Sequence, residues 1–156
     1  MSIDMHAHWR PAELVDALRL RTSDPRVFTN GDDIEVYRAR SGEQPISEAF
    51  DNVKTRLEEM DRQDISTAVL SLLSEFTWIE RLPLKESLPL VQLYNNSISE
   101  LCAANEGRFT GLCALPLSDI EAAATEFDRA MSLPGIVGAQ APGNAFLTYQ
   151  EADAFR

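Results

Sequence analysis

Two histidines, His6 and His8, are the residues of this 156-residue chain whose type and spacing point most directly to chemistry, and the chain has no others. Side chains two positions apart in a β-strand lie on the same face, so a strand here would bring both imidazoles together, with Asp4 beside them. Two adjacent imidazoles can ligate one divalent metal such as zinc, iron, nickel or copper. The alternative is a solvated pair near a chain end. Random placement gives this spacing in about 1% of such compositions, which favours the metal site.

A catalytic metal site usually has three protein ligands and an open position, so the histidine pair needs a further ligand. Asp4 is the nearest candidate, although it lies deeper in the predicted strand. Cys102 and Cys113 fall within a predicted helix and a predicted strand, where reduced, packed thiols are the better explanation. The sequence therefore predicts two metal ligands, His6 and His8, and does not complete the site.

Four short apolar segments alternate with amphipathic helices along the chain. The first segment, residues 2–8, alternates Ile3, Met5 and Ala7 with polar residues and ends on the histidine pair. Apolar strands separated by helices are typical of parallel sheets with right-handed crossovers, which build their sites at the C-terminal ends of strands. The other predicted strands are 65–73, 109–115 and 136–140, and the predicted helices are 11–20, 47–63, 87–105 and one beginning at a capping box of Ser118 and Glu121.

The segment from about 22 to 46 interrupts this alternation. Asn30-Gly31 lies between two apolar runs, which favours a β-hairpin over residues 26–40, with 41–45 as the loop that leaves it. No low-complexity or linker-like stretch divides the chain. We therefore expect a single α/β domain over 1–156 with a small β-hairpin insertion at about 22–46.

Residues near the predicted strand ends are further candidates for a substrate pocket. Aromatic and cationic side chains suit a carboxylated ring, and strand ends lie at the mouth of such a sheet. Phe76 and Trp78 are explained equally well as residues that pack a loop, and Asn144 as a turn residue. The candidates are Trp9, Arg10, Phe76, Trp78 and Asn144.

The composition disfavours several classes of partner and location. With 14 basic and 25 acidic residues, the net charge of −11 argues against nucleic acid, because a phosphate backbone requires a basic surface. No apolar run approaches the roughly 18 residues of a membrane span. The N-terminus lacks the basic and apolar regions of a secretory signal, and two cysteines are too few for a disulfide scaffold. These features predict a cytoplasmic protein without a membrane partner.

Four stretches of the chain, taken in order, carry a family resemblance. They are Asp4-Met5-His6-Ala7-His8 with Pro11, then Arg56 to Asp61 leading to Val69-Leu70-Ser71, then Tyr94-Asn95-Asn96 leading to Arg108 to Leu112 and Leu115-Pro116-Leu117, and finally Ala122 to Ala130 leading to Gly135 to Gly138. Together they resemble the amidohydrolase superfamily, in particular the amidohydrolase-related branch that includes α-amino-β-carboxymuconate-ε-semialdehyde decarboxylase. The resemblance extends over nearly the whole chain.

The resemblance implies the N-terminal half of a (β/α)8 TIM barrel that holds a divalent metal, usually zinc, and a metal-activated water at its mouth. It assigns metal ligation to His6 and His8, and it places the other ligands and the proton-transfer residue beyond Arg156. The implied reaction is decarboxylation of a small carboxylated substrate, aromatic or muconate-like. The alternative reaction is hydrolysis of an amide or lactone. The segment 43–48 is acidic and lacks the semialdehyde decarboxylase's substrate-binding arginine, which disfavours that particular dicarboxylate.

The length of the chain matches only part of such a barrel, which typically has about 250 residues. Thr148 and Glu151 form a capping pattern for a helix that has barely begun when the sequence reaches Arg156. We therefore expect the front portion of a longer enzyme, inactive by itself, whose partners are a small-molecule substrate and a second copy in a homodimer. The alternative is a complete, non-catalytic half-barrel that dimerises or binds a partner.

Overall fold

A parallel sheet with helices between its strands forms the centre of the molecule. The computed structural model describes residues 2–47 and 50–141. Its elements are β1 (Ser2–Trp9), α1 (Ala12–Arg19), β2 (Arg26–Thr29), β3 (Glu35–Ala39), β4 (Gly42–Pro45), α2 (Val53–Arg62), β5 (Ile65–Leu72), a 3-10 helix (Ser74–Arg81), α3 (Leu84–Ala104), β6 (Phe109–Cys113), α4 (Ile120–Met131) and β7 (Ile136–Ala139). The central sheet has the strand order β1-β5-β6-β7, and all its pairs are parallel, so the predicted four-stranded parallel sheet is confirmed.

Capping side chains determine where two of the helices begin. The Asn52 side chain accepts a hydrogen bond of 3.0 Å from the backbone N–H of Thr55, so α2 begins at Val53 and the predicted helix over 47–63 starts too early. Asp119 caps α4, because its Oδ1 accepts a hydrogen bond of 2.9 Å from the backbone N–H of Ala122. The prediction that Ser118 caps this helix is therefore wrong by one residue.

The segment between β5 and α3 is more regular than the sequence indicated. Helix α3 begins at Leu84 rather than at the predicted Ser87, so Pro89 lies inside the helix instead of in its first turn. The preceding 3-10 helix, Ser74–Arg81, was not predicted. A 3-10 segment has three residues per turn and leaves no 3.6-residue apolar period, which is the signal on which helix prediction depends.

A separate three-stranded sheet, formed by β2, β3 and β4, lies between α1 and α2 in the chain. The predicted hairpin is confirmed by the antiparallel pairing of β2 with β3. Its loop is longer than the two residues of a tight turn, and the Asn30 side chain closes it by accepting hydrogen bonds from the backbone N–H groups of Asp32 and Ile34. The prediction of a loop over 41–45 is wrong, because Gly42–Pro45 pairs with β3 as a third strand.

Strand β1 is irregular near the histidine pair. It pairs with β5, but the register shifts between Asp4 and Ala7. Such a β-bulge inserts an extra residue and breaks the alternation of side chains along the strand. The prediction that Ile3, Met5 and Ala7 form one apolar face is therefore wrong: Ala7 is buried, whereas Ile3 is 59% exposed and Met5 is 70% exposed.

The hydrophobic core joins the central sheet to the helices that cover it. Leu70 and Leu72 of β5 are fully buried, and so are Leu14 of α1 and Ile98 of α3. Both cysteines are buried and unbridged, and burial raises the pKa of each thiol to about 11, so they behave as packed apolar residues as predicted. Among the described residues, no helix combines the length and apolar character needed to cross a membrane.

Candidate metal site and adjoining cavity

The two imidazoles lie against each other in the second half of β1. The ring centroids of His6 and His8 are 4.8 Å apart, and the ring planes meet at 82°. His6 is exposed, whereas His8 is partly buried. This arrangement gives the C-terminal half of the strand two nitrogen donors within reach of one small ion.

Contacts from two other elements hold His8 in place. The Oγ of Ser71, the residue paired with His8 in β5, lies 3.0 Å from the His8 Nδ1. The Nη2 of Arg56, in α2, donates a hydrogen bond of 2.6 Å to the His8 backbone carbonyl. Burial, and then repulsion from His6, lower the pKa of His8, while a hydrogen bond with the Leu72 backbone partly opposes them. A lowered pKa favours the neutral imidazole, which is the form that binds metals.

Asp4 does not join the two histidines as a third ligand. The β-bulge separates it from them in register, and its Oδ1 accepts a hydrogen bond of 3.0 Å from the backbone N–H of His6. Its carboxylate also interacts electrostatically with the Arg56 guanidinium. Within residues 2–47 and 50–141, no cluster of three or more His, Cys, Asp or Glu side chains could hold a metal ion. The described residues therefore offer two ligands and not a complete site.

A cavity of about 300 Å³ lies next to His8, at the C-terminal end of β1. Its aromatic wall consists of Tyr37 from the inserted sheet, Phe50 before α2, and Phe76 in the 3-10 helix. The rings of Tyr37 and Phe76 are stacked, with centroids 4.2 Å apart and planes at 14°. The cavity thus has a largely buried aromatic wall beside one imidazole of the candidate metal site, and enclosed apolar walls of this kind are typical of small-molecule pockets.

Arg10 also lines this cavity, but its charge is already countered. Its Nε donates a hydrogen bond of 3.0 Å to the Asp51 Oδ1, and its Nη2 forms an ion pair with the Asp51 Oδ2. The same Nη2 donates a hydrogen bond of 3.0 Å to the Ser47 backbone carbonyl, and the guanidinium lies 5.1 Å from the centre of the Phe76 ring. These contacts stabilise the cavity wall. Because Arg10 is only 1% exposed, little of its guanidinium is accessible to a ligand.

The other pocket candidates occupy different places. Phe76 lines the cavity, whereas Trp9 is buried in the core with its ring 6.4 Å from that of Tyr94. Trp78 is partly buried and lies between the guanidinium groups of Arg40 and Arg81, at 5.9 Å and 5.8 Å from its ring centre. Neither tryptophan is among the residues that line the cavity. Asn144 and the capping pattern of Thr148 and Glu151 lie outside the described residues.

Sequence reasoning missed the contribution of the inserted sheet to this cavity. Tyr37 and Gln44, from β3 and β4, line it together with Phe50. The alternation around Tyr37 predicted a strand but gave no indication of what the strand packs against. The contact of the inserted sheet with the 3-10 helix, through the stacked rings of Tyr37 and Phe76, is a tertiary feature that a local pattern does not encode.

Comparison with known proteins shows which proteins this chain is similar to in sequence and in fold. No family model matches the chain. Gamma-resorcylate decarboxylase of Rhodococcus jostii is 37% identical over 89 residues, which are 56% of this chain and 26% of that protein. The matched region is therefore about a quarter of the relative's length.

Solved structures extend the similarity to the fold. The IDCase of Metarhizium anisopliae has a TM-score of 0.74 at 19% identity, covering 89% of this chain and 41% of that one. A second structure is the 5-carboxyvanillate decarboxylase of Novosphingobium aromaticivorans, complexed with manganese and 4-hydroxy-3-methoxy-5-nitrobenzoic acid. It has a TM-score of 0.70 at 20% identity, and the match covers 99% of this chain and 46% of that one. The resemblance to the amidohydrolase-related decarboxylases is thereby confirmed, and the chain has the fold of the N-terminal half of their (β/α)8 barrel.

Proposed function

We propose that this chain forms the N-terminal part of a metal-dependent decarboxylase that acts on a small carboxylated aromatic compound. The observation that carries the proposal is the imidazole pair of His6 and His8 beside a cavity with aromatic walls. The sequence similarity to gamma-resorcylate decarboxylases supports the reaction and the substrate class. His6 and His8 are the proposed metal ligands, and the remaining ligands are proposed to come from beyond Arg156.

A divalent metal fits the donors that are present, because neutral imidazoles bind such ions and Ser71 holds one ring in position. When bound, the metal would polarise the substrate carboxylate and lower the pKa of a bound water. Zinc suits two imidazole donors, while manganese prefers oxygen ligands and is the ion in the similar 5-carboxyvanillate decarboxylase. The ligands that complete the site would therefore decide between the two ions.

The cavity residues are proposed to bind and orient the substrate. The buried pair of Tyr37 and Phe76, with the partly buried Phe50, is proposed to form the apolar wall beside which a small ring lies and from which water is excluded. Because Asp51 and the Ser47 carbonyl occupy the Arg10 guanidinium, the substrate carboxylate is proposed to face the histidines rather than Arg10. The group that delivers the proton replacing carbon dioxide is proposed to lie beyond Arg156.

The organisation of the whole protein stays a prediction. The sequence predicts one domain over 1–156 with an insertion at about 22–46, a homodimer and a cytoplasmic location. Hydrolysis of an amide or lactone remains the alternative reaction, and it would use the metal-bound water instead of releasing carbon dioxide.

The reaction can be tested by measuring carbon dioxide release from a panel of hydroxylated benzoates with the full-length, metal-loaded protein. We expect release from at least one of these compounds and its loss in the double variant His6→Ala/His8→Ala. Lys54→Ala, at a side chain that is 89% exposed on α2, is the matched control and should retain the activity. Hydrolysis of amides or lactones without any carbon dioxide release would overturn the proposal.

A further inference from the structure

We infer that Ser71 is a positioning residue that fixes His8 as the tautomer with the proton on Nδ1, so that Nε2 is the nitrogen left to bind the metal. This inference rests on the proposed function for its purpose, because a metal must bind His8 for the tautomer to matter. The tautomer itself can be measured in the metal-free protein. The two proposals can therefore fail separately.

The position of Ser71 is determined by the parallel ladder between β1 and β5. Ser71 is the residue paired with His8, one step after the pair of Ala7 and Leu70. Its Oγ lies 3.0 Å from the His8 Nδ1 and 3.3 Å from the Ala7 backbone carbonyl oxygen. Ser71 is 9% exposed, so water has little access to its hydroxyl. The hydroxyl therefore has two protein partners and one proton to share between them.

The donor and acceptor properties of these groups determine where the protons lie. A carbonyl oxygen can only accept a hydrogen bond, so the Ser71 proton must go to Ala7 if that contact is a hydrogen bond. The serine oxygen then has lone pairs to offer, and the His8 Nδ1 can satisfy one of them only as an N–H donor. A neutral imidazole carries one proton, so Nε2 keeps the lone pair with which it can bind a metal. In the reverse arrangement the serine would donate to Nδ1, and the Ala7 contact would be lost.

Arg56, in α2, supports the same arrangement through the main chain of His8. Its hydrogen bond to the His8 backbone carbonyl fixes the main chain from which the imidazole projects. With the main chain held by Arg56 and Nδ1 held by Ser71, the ring has little freedom to turn. Partners of this kind typically contribute a 10- to 100-fold effect on metal affinity when they are removed. His6, which is exposed, has no such partner on its ring nitrogens among the hydrogen bonds of the described residues.

The first test is ¹⁵N NMR of the full-length, metal-free protein with labelled histidine, at a pH where both imidazoles are neutral. We expect the His8 signals of the Nδ1–H tautomer in the wild type and a shift toward a mixture of tautomers in Ser71→Ala. Ser71→Thr, which keeps the hydroxyl, should restore the wild-type tautomer. The matched control is Ser66→Ala, which removes another β5 hydroxyl, one that donates to the Ser2 carbonyl at 2.8 Å, and should leave His8 unchanged.

The wild-type spectrum alone can overturn the inference, since an Nε2–H tautomer at His8 would reverse the assignment even if no variant folds. An unchanged His8 tautomer in Ser71→Ala would also overturn it. The second test is titration with zinc or manganese, in which Ser71→Ala should lose 10- to 100-fold in affinity relative to Ser66→Ala. Equal affinities would contradict the positioning role. Failure of the wild type to bind either ion would instead contradict the proposed function and leave the tautomer result standing.

Discussion

Glu80 is fully buried in the 3-10 helix that precedes α3, and it shows how a single residue couples this fold to pH. Its Oε1 accepts a hydrogen bond of 2.9 Å from the backbone N–H of Leu115. Its Oε2 has no hydrogen-bond partner within the described residues. Burial penalises the charged form and raises the pKa of this carboxyl to about 8, so at neutral pH Glu80 is mainly protonated in the folded protein.

We predict that Glu80→Gln removes a pH dependence of stability. Because the folded-state pKa is raised above the ordinary value of 4.5, the contribution of Glu80 to stability is full below about pH 4.5 and is lost as the pH rises toward 8. The slope for such a group is about 1.4 kcal/mol per pH unit. Chemical denaturation at pH 5 and pH 7 should show a smaller loss of unfolding free energy in Glu80→Gln than in the wild type. Equal losses of unfolding free energy in the two proteins would contradict the raised pKa of Glu80.

The pair of Arg10 and Asp51 gives a second prediction at the scale of residues. Asp51→Asn would leave the buried Arg10 guanidinium without its counter-charge. We expect the free energy of unfolding to fall by about 1.5–3 kcal/mol, as for other hydrogen bonds between charged groups. Glu58→Gln, which breaks the exposed pair with Lys54, should change stability by less than about 0.5 kcal/mol in the same denaturation assay. Similar effects of both substitutions would show that the Arg10 pair has no special role.

Among residues, the sequence located the histidine pair but not its partners. His6 and His8 are two positions apart in the sequence and in ring contact in the structure, so local spacing was sufficient. Ser71 is separated from His8 by 63 positions and Asp51 from Arg10 by 41, and these contacts depend on the folded chain. The sequence therefore could not show that Arg10 is ion-paired.

At the scale of elements, apolar periodicity predicted the central strands and most helices to within a few residues. Two of the features that it missed depend on strand pairing rather than on pattern. The bulge in β1 reflects its register against β5, and it breaks the alternation that was expected to place Asp4 beside the histidines. Strand β4 consists of Gly-Glu-Gln-Pro, and all four residues are exposed, so it has no apolar alternation. It forms because its backbone pairs with the edge of β3. Tertiary pairing overrides local propensity at both places.

The N-terminus of α4 allows a test, because the sequence predicted Ser118 as the N-cap and the structure has Asp119 there. The structure assigns the cap to Asp119, so Asp119→Ala should lower the free energy of unfolding by about 1 kcal/mol. Glu121→Ala, which removes the other half of the predicted capping box, should change it by less than about 0.5 kcal/mol. Denaturant titration of both variants checks this. A larger effect of Glu121→Ala than of Asp119→Ala would favour the capping box over the structure.

At the scale of the whole molecule, the central sheet brings the histidine pair, the inserted sheet and the 3-10 helix to one end of β1 and β5. The resulting cavity combines residues from segments that are distant in the chain, namely His8, Tyr37, Phe50 and Phe76. The fold is shared with two solved structures of which this chain covers 41% and 46%. The sequence predicted this architecture through strand order and family resemblance, but the cavity required the structure.

The central claim is that His6 and His8 bind the metal of a decarboxylase. Metal analysis of the full-length protein, purified in parallel as wild type, His6→Ala/His8→Ala and Met5→Ala, tests it most directly. Met5 lies in the same strand and is 70% exposed, so Met5→Ala controls for general disturbance of β1. We expect the wild type and Met5→Ala to retain a divalent metal and the double histidine variant to lose it. Metal content in the double variant equal to that of the wild type would show that His6 and His8 are not the ligands.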